Sequence, residues 1–313
     1  MPKPAQSPGS VIPGMRSIRL KRPHYRRDYY LGYLYLLPAL VMFITFFIYP
    51  FIQLIWLSLH EWNGYDAKLF VGTLNYQNLF SDKIFWLAFQ HNLSWTLAAV
   101  FFPISIGLFL AILLSRTPMR GKVFFRAIYF FPQVVSSISV AVAWSWIYNP
   151  NYGVINQALD LIRLDQLKRG WLGSSQFALP ALFIIWSWIQ YGFSMVIFIA
   201  ALEGIDEVYF EAAKIDGANW LQQLRYVLLP FISRPLTTIV LTTTIASFQV
   251  FDLVFALTNG GPGRATIVIP LYMLDSAFTF HKIGYGAAIA VVLCLFIFLF
   301  SLLLLRVRGT FRE

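Results

Sequence analysis

Long apolar stretches separated by short polar segments dominate the pattern of this 313-residue chain. A helix needs about 20 apolar residues to cross the hydrocarbon core of a bilayer, where every backbone polar group must be bonded within the structure. Six stretches reach that length, at residues 31–59, 93–114, 123–147, 177–202, 236–257 and 286–305. The pattern therefore predicts an all-α, polytopic membrane protein with six transmembrane helices, several of them kinked by internal prolines.

The distribution of basic residues predicts the orientation of these helices. If the six helices alternate in direction, 17 of the 24 Lys and Arg residues fall in segments that face the side of the N-terminus. Cytoplasmic segments carry the excess of positive charge, so we expect both termini in the cytoplasm and the protein in the cell membrane. The first apolar stretch is about twice as long as the ~7–15-residue core of a signal peptide, which indicates a retained span.

Composition excludes several other functions. The chain is 58% hydrophobic and only 12% charged, with a mean hydropathy of +0.65. Its net charge of +10 does not predict nucleic-acid binding, because the basic residues flank apolar runs instead of forming one soluble face. One cysteine and four scattered histidines show no metal-ligand spacing, and no nucleophile and base are paired. We therefore expect no metal site, no catalytic residue and no enzymatic activity.

The predicted inner loop at 203–235 is 33 residues long, and loops of that size usually have structure of their own. Asp206 is suited to cap the start of a helix, and Gly217 is suited to end it in the left-handed conformation. Helical spacing predicts one apolar side for this helix, made by Val208, Tyr209, Ala212 and Ile215.

A second helix is predicted directly after Gly217. Asn219 and Gln222 are spaced as a variant capping box, and Pro230 is expected to end the helix. Composition alone fits two roles for this helix pair, docking of a partner protein or lying on the membrane surface.

The loop also carries a family signature, Glu211-Ala212-Ala213-Lys214-Ile215-Asp216-Gly217 followed by Val227-Leu228-Leu229-Pro230. It resembles the "EAA…G…LP" motif of ATP-binding-cassette (ABC) importer permeases, with Val227 where Ile is usual. In that family the short helix sits in a groove of the ATPase and passes its movement to the membrane helices. The resemblance implies that Glu211, Ala212, Ala213 and Gly217 are coupling residues and that Pro230 is the structural end of the motif.

A second segment narrows the family. Residues 251–262 (FDLVFALTNGGP) and 284–288 (GYGAA) resemble binding-protein-dependent sugar permeases of the maltose and glycerol-3-phosphate uptake type. The resemblance covers residues 91–306 and implies the type I importer permease fold. It also implies four kinds of partner: a second homologous permease subunit, two ABC ATPase subunits, an extracytoplasmic solute-binding protein received by the outer loops, and membrane lipid. The chain has no GxxxxGK[ST] phosphate loop, so it holds no cofactor, and ATP and Mg belong to the ATPase.

These inferences divide the chain into four regions. Residues 1–30 form a basic cytoplasmic tail with a disordered start, and 31–90 form the first transmembrane helix and outer loop. Residues 91–306 form the permease transmembrane domain, which contains the coupling loop, and 307–313 form a second cytoplasmic tail.

The fifth apolar stretch is the predicted substrate pathway, because it is rich in hydroxyl side chains and ends with Gln249 and Asp252. In a continuous helix Asp252 lies about 25 Å from the cytoplasmic end. Gln249 and Asp252 then either bind sugar hydroxyls, bond to neighbouring helices, or cap the fifth span near the outer interface. Four tryptophans fit either sugar stacking or an interfacial belt: Trp144, Trp146, Trp186 and Trp188.

Two other functions fit the pattern less well. An ion-driven secondary transporter predicts inverted repeats and buried carboxylates near the midplane, and neither is evident. A non-transporting scaffold needs the inner loop but no solute path. The sequence does not distinguish a maltose-type sugar, another sugar or glycerol-3-phosphate as substrate.

Overall fold

The computed structural model describes residues 25–116 and 120–309. Its helices are α1 (Tyr25–Phe43), α2 (Tyr49–Ser58), α3 (Leu74–Ser81), α4 (Lys83–Arg116), α5 (Lys122–Val134), α6 (Ser137–Ile147), α7 (Val154–Leu161), α8 (Ala178–Glu203), α9 (Glu207–Ile215), α10 (Trp220–Gln223), α11 (Leu229–Phe231), α12 (Ser233–Phe248), α13 (Asp252–Leu257), α14 (Ile269–Leu274) and α15 (Ile283–Gly309). Wider, π-helical turns occupy Ile44–Ile48, Leu224–Leu228 and Asp275–Thr279, and one 3₁₀ turn occupies Asp165–Leu167. The disordered start predicted within the basic tail lies outside the described residues.

The chain divides into two compact units, Met1–Ile52 and Gln53–Glu313. The first unit contributes α1 and the start of α2. Within the second unit the helices are joined by loops and by one small hairpin, in which β1 (His60–Glu61) pairs antiparallel with β2 (Leu69–Phe70). All sites described below lie in the second unit. The mostly helical fold expected from the apolar pattern is confirmed.

Four helical segments in the described part of the chain are long and apolar enough to cross a membrane, namely Tyr33–Ser58, Lys83–Ser115, Ala178–Glu203 and Ile283–Arg306. Two helix pairs pass the same test together, but each is sharply bent. The pair α5 and α6 is bent by 97°, and Trp220–Phe231 is bent by 69° against α12. The structure therefore holds four to six candidate spans, depending on whether each bent pair is one span.

The third and fifth predicted stretches are not straight helices. In the third, Pro132 lies in the last turn of α5, and Val135 after it is extended, with ψ 139°. In the fifth, α12 ends at Phe248, and Asp252 begins the separate helix α13. The bend in the third stretch lies at Val135 and Ser136, where the backbone leaves the helical conformation after Pro132.

Two buried clusters hold the second unit together. One contains side chains from α4, α8, α12 and α15, and its large members include Trp95, Leu182 and Phe248. The other joins α4 and α8 to the 203–235 loop through Phe198, Phe210 and Leu228. The loop is therefore packed onto the helices that precede and follow it.

Candidate functional site

The first helix of the 203–235 loop has the predicted ends. The Asp206 side chain accepts a hydrogen bond from the Val208 amide at 3.1 Å, which caps the start of α9. At the other end Gly217 has φ +77°, and the Ala218 amide donates to the Ala213 carbonyl at 2.9 Å. These bonds satisfy backbone groups that a helix end otherwise leaves unpaired.

The second helix begins with the predicted capping box. The Gln222 amide donates to the Asn219 side chain at 2.9 Å, and the Asn219 amide donates to the Gln222 side chain at 2.7 Å. The predicted end at Pro230 agrees with the structure to within one residue, because the helical path ends at Phe231, where the chain bends. The π-helical turn Leu224–Leu228 directly precedes Pro230; such turns accommodate a proline ring that would clash in a regular α-helix.

The apolar side predicted for α9 is exposed. Val208, Tyr209 and Ile215 are 62%, 52% and 86% exposed. The helix is anchored instead by Phe210, which is 5% exposed and packs in the cluster with Leu228. Sequence reasoning missed Phe210, although Phe210 and Ala213 form a second apolar series three residues apart that would have indicated this face.

The coupling residues implied by the motif lie on the surface of α9 and at its end. Glu211, Ala212 and Gly217 are exposed, and Ala213 is half-buried. Further exposed apolar side chains lie beside them, including Trp220 at 52% and Leu221 at 69%. The small alanines leave the helix backbone open to close approach by another chain.

Gln249 and Asp252 lie at a break in the fifth stretch. Since α12 ends at Phe248 and α13 begins at Asp252, the distance of about 25 Å based on a continuous helix does not apply. Both side chains are exposed. Among the described residues neither side chain forms a hydrogen bond or ion pair, so bonding to neighbouring helices does not explain them.

Asn92 is a buried polar residue at this break whose role sequence reasoning missed. Its side chain is fully buried and accepts a hydrogen bond from the Ile269 amide at 2.7 Å. The same side chain donates to the carbonyls of Ser247 and Phe248 at 3.4 Å each. Asn92 thus joins α4, the end of α12 and the start of α14. Its burial also excludes it as a glycan acceptor, although Asn92-Leu93-Ser94 matches the acceptor pattern.

The four tryptophans considered for sugar stacking lie in different surroundings. Trp186 is buried and contacts Trp95, with ring centroids 6.0 Å apart. Trp144 and Trp188 contact each other at 5.8 Å, and Trp146 is 67% exposed. The structure does not bring the four rings together as one platform.

The fold and the capped loop define a helical membrane subunit with a structured loop. Residues 103–309 match the family model described as "Binding-protein-dependent transport system inner membrane component". The chain belongs to this family of ABC importer permeases. It is therefore a transport subunit and not an enzyme, and ATP hydrolysis is carried out by a separate ATPase subunit.

Two curated relatives align over most of the chain. It is 34% identical to the probable ABC transporter permease protein YurN of Bacillus subtilis (strain 168), over 90% of this chain and 97% of the relative. It is also 34% identical to the diacetylchitobiose uptake system permease protein NgcF of Streptomyces coelicolor (strain ATCC BAA-471 / A3(2) / M145), over 92% of this chain and 84% of the relative.

A solved structure has the same fold. The crystal structure of a bacterial ABC transporter involved in import of the acidic polysaccharide alginate aligns with a TM-score of 0.81. The alignment covers 92% of this chain and 98% of the other, at 21% identity. The resemblance to sugar permeases inferred from the two motifs is confirmed at the level of the family.

Proposed function

We propose that this chain is one permease subunit of an ATP-driven importer that carries a sugar or related carbohydrate into the cell. Family membership supports an importer over an ion-driven transporter or a scaffold. The motifs at 251–262 and 284–288, and a relative named for diacetylchitobiose uptake, support a carbohydrate.

In the proposed topology the chain crosses the cell membrane six times, with both termini in the cytoplasm. The excess of Lys and Arg on one side supports this orientation. The bent pair α5 and α6 is then one broken span, whereas Trp220–Phe231 lies in the cytoplasmic loop and α12 begins the fifth span. Broken spans line cavities in transport proteins, because irregular backbone is tolerated there and not against lipid.

The proposal depends mainly on one exposed surface, formed by α9 and by the start of α10 that follows it. Ile215, Trp220 and Leu221 are more than half exposed in a segment that the charge pattern assigns to the cytoplasm. Clustered apolar side chains facing water indicate a protein-binding surface. We infer that an ABC ATPase docks here, against Glu211 and Ala212, while Phe210 holds α9 to the membrane helices.

The remaining partners follow from the same assignment. The exposed apolar faces of the long helices would contact lipid and a second, homologous permease subunit. A solute-binding protein would contact the outer loops, as the family description "binding-protein-dependent" supports. Two ATPase subunits would carry ATP and Mg, one docked on each permease loop.

Gln249 and Asp252 are the proposed substrate contacts along the pathway. Their side chains are exposed at the break between α12 and α13. An amide and a carboxylate supply both donors and acceptors, which suits the hydroxyl groups of a sugar.

Purification of the full chain from its native membrane tests the docking surface. We expect an ATPase with a phosphate loop to co-purify with the wild-type chain. Ala212→Glu places a longer, charged side chain on the exposed face of α9 and is expected to abolish this association. The matched control is Ala67→Glu, at another exposed alanine, in the β1–β2 hairpin, and it should retain the ATPase. Equal recovery of the ATPase with both variants would refute the docking site.

Uptake by the reconstituted importer tests the energy source. Accumulation of sugar in proteoliposomes is expected to require ATP and to continue when ion gradients are collapsed. Uptake that persists without ATP and stops with the gradient would contradict the proposal.

A further inference from the structure

A cavity of about 420 Å³ lies between the two predicted outer loops that flank α4 and α15. One wall comes from the hairpin and α3, and the other from the segment between α14 and α15. The side chains of Glu61, Trp62, Asn78, Asp82, Lys282 and Tyr285 are among those that line it. Neither predicted outer loop makes this cavity alone.

The walls of the cavity are joined by long-range hydrogen bonds. Asp82 accepts hydrogen bonds from the hydroxyls of Tyr285, at 2.6 Å, and Tyr272. The Ile283 amide donates to the Trp62 carbonyl at 2.9 Å. Next to it, a Cβ on Gly284 would lie 1.9 Å from the His60 carbonyl oxygen, so only glycine permits this contact. The cavity is therefore a preformed feature of the fold.

Three polar side chains on the cavity wall retain unused bonding capacity. Asp82 is occupied by the two tyrosines and by the Ile84 amide. In contrast, the side chains of Glu61, Asn78 and Lys282 form no hydrogen bond or ion pair within the described part of the chain. They supply a carboxylate, an amide and an ammonium group.

The charged side chains of the wall give no excess of positive charge. Glu61 and Lys282 line the same cavity but do not pair with each other, and Asp82 adds a second carboxylate whose hydrogen bonds come from neutral donors. A phosphate or another anion needs an excess of positive groups, which this wall lacks. The wall instead suits a neutral ligand with both donors and acceptors.

Aromatic rings complete the lining. Trp62, Tyr272, Phe280 and Tyr285 all contribute to the cavity. The Trp62 indole already donates to the Asp66 carbonyl at 3.0 Å, and the Lys68 ammonium lies over one face of its ring, 4.5 Å from the centroid, so only the other face can contact a ligand. Ring surfaces combined with a few polar groups are typical of small-molecule sites, and flat apolar surfaces fit the C–H faces of sugar rings.

We propose that this cavity binds a neutral carbohydrate on the outer side of the protein, ahead of the translocation pathway. This proposal rests on the proposed function, from which it takes a sugar as the substrate and the orientation of the chain in the membrane. It adds the place of a binding site and the expectation that the bound sugar is uncharged. Asn78 is the central polar contact, and the balanced pair of Glu61 and Lys282 excludes anionic substrates.

Saturation-transfer NMR on the full chain in phosphatidylcholine nanodiscs tests the site, since nanodiscs avoid sugar-based detergents. The probes are the neutral disaccharides maltose, cellobiose and trehalose, with sn-glycerol 3-phosphate as the anionic comparison. At least one disaccharide is expected to bind, and the phosphate ester to give only the signal of empty nanodiscs. Absence of binding by all three disaccharides would overturn the proposal, and so would equal binding of the phosphate ester.

Three variants keep the test independent of folding. Asn78→Leu should weaken disaccharide binding about fivefold, the loss expected for one or two hydrogen bonds. Gln77→Leu, its exposed neighbour on α3 that does not line the cavity, should leave binding unchanged. Glu61→Gln removes the carboxylate that repels an anion and should allow sn-glycerol 3-phosphate to bind beside Lys282. Equal effects of the two α3 variants, or no phosphate binding by Glu61→Gln, would overturn the site.

Uptake measurements separate this proposal from the proposed function. If ATP-driven sugar uptake occurs but disaccharides do not bind the chain, the cavity proposal fails and the importer stands. If a disaccharide binds at Asn78 but the assembled transporter shows no ATP-driven uptake, the importer proposal fails and the site stands.

Discussion

The two ends of the helical bundle are held by different kinds of bond. In the 203–235 loop the capping bonds join residues two to three apart in sequence, such as Asp206 with Val208 and Asn219 with Gln222. At the predicted outer end the bonds join residues 177 apart, for Asn92 with Ile269, and 203 apart, for Asp82 with Tyr285. The loop helices therefore keep their ends by themselves, whereas the outer end exists only when distant segments are assembled.

This difference fits the two proposed tasks. A docking helix must stay helical while its outer face contacts another protein, and local caps provide this without further contacts. A preformed cavity needs walls that keep their spacing, which requires bonds between different segments. If so, a substitution in the 203–235 loop should change only nearby structure, whereas a substitution at the predicted outer end should lower the free energy of unfolding of the whole chain.

Asn92→Leu is expected to have the largest effect. Leucine is of similar size but leaves the buried Ile269 amide without its partner and removes the bonds to the carbonyls of Ser247 and Phe248. The free energy of unfolding should fall by about 3 kcal/mol, since an unsatisfied buried group costs about 1–3 kcal/mol. Denaturation of the reconstituted full chain by SDS in mixed micelles measures this.

Ser94→Ala is the matched control for Asn92→Leu. The Ser94 hydroxyl is exposed and donates to the His91 carbonyl in its own helix, at 2.9 Å. Its removal should change the free energy of unfolding by less than about 0.5 kcal/mol. Equal stability of the two variants would show that Asn92 does not hold the outer end.

Asp82→Asn should have the next largest effect. Burial raises the pKa of Asp82, but hydrogen bonds from Tyr272, Tyr285 and the backbone outweigh this and hold the pKa below its ordinary value. Loss of the charge should cost about 1.5 kcal/mol, the lower end for bonds to an ionised group at a partly exposed site. The free energy of unfolding at neutral pH measures the loss.

The pH dependence of the free energy of unfolding gives a second measure of how much Asp82 stabilises the fold. A carboxyl with a depressed pKa stabilises the fold above its unfolded pKa of about 3.9, and this contribution is lost as pH falls through the lower folded value. The wild-type chain should lose this stability at acid pH, and Asp82→Asn should not. Asp165→Asn, at an exposed ion pair with Lys168, should be near neutral in stability. A loss of similar size there would contradict the special role of Asp82.

The contrast between short-range and long-range bonds also explains how much of the structure was predictable from sequence. Asp206, Gly217 and the Asn219–Gln222 box act on neighbouring backbone groups, so their residue types and spacing were sufficient. The role of Asn92 depends on Ile269, Ser247 and Phe248, which no local pattern connects to it. The break at 249–251 was missed for the same reason, because the apolar residues Val250 and Phe251 continue through it and only the packed structure shows where α12 ends.

Gly217→Ala tests whether the helix ends in the 203–235 loop depend on local bonds alone. Gly217 has φ +77° and a Cβ there meets no atom within 4 Å, so the cost is conformational, about 1 kcal/mol. Amide hydrogen exchange should become faster at the end of α9 and remain unchanged around Asn92. Gly170→Ala is the control, since it also has open space but no positive φ, and it should not accelerate exchange. Faster exchange at the outer end in Gly217→Ala would show that the two ends are not independent.

The smallest effect is expected at Arg126 and Glu203, the ion pair that links α5 to the end of α8 just before the loop. Their side chains are 30% and 53% exposed, so a double-mutant cycle with Arg126→Gln and Glu203→Gln should give a coupling energy of about 0.5 kcal/mol. The charge-reversed double variant, Arg126→Glu with Glu203→Arg, should recover most of the stability lost by either reversal alone. A coupling energy above about 2 kcal/mol would place this pair outside the range of exposed ion pairs. In that case the inner end, like the outer one, would depend on a long-range bond, and movement of the docked loop would strain the helices through Glu203.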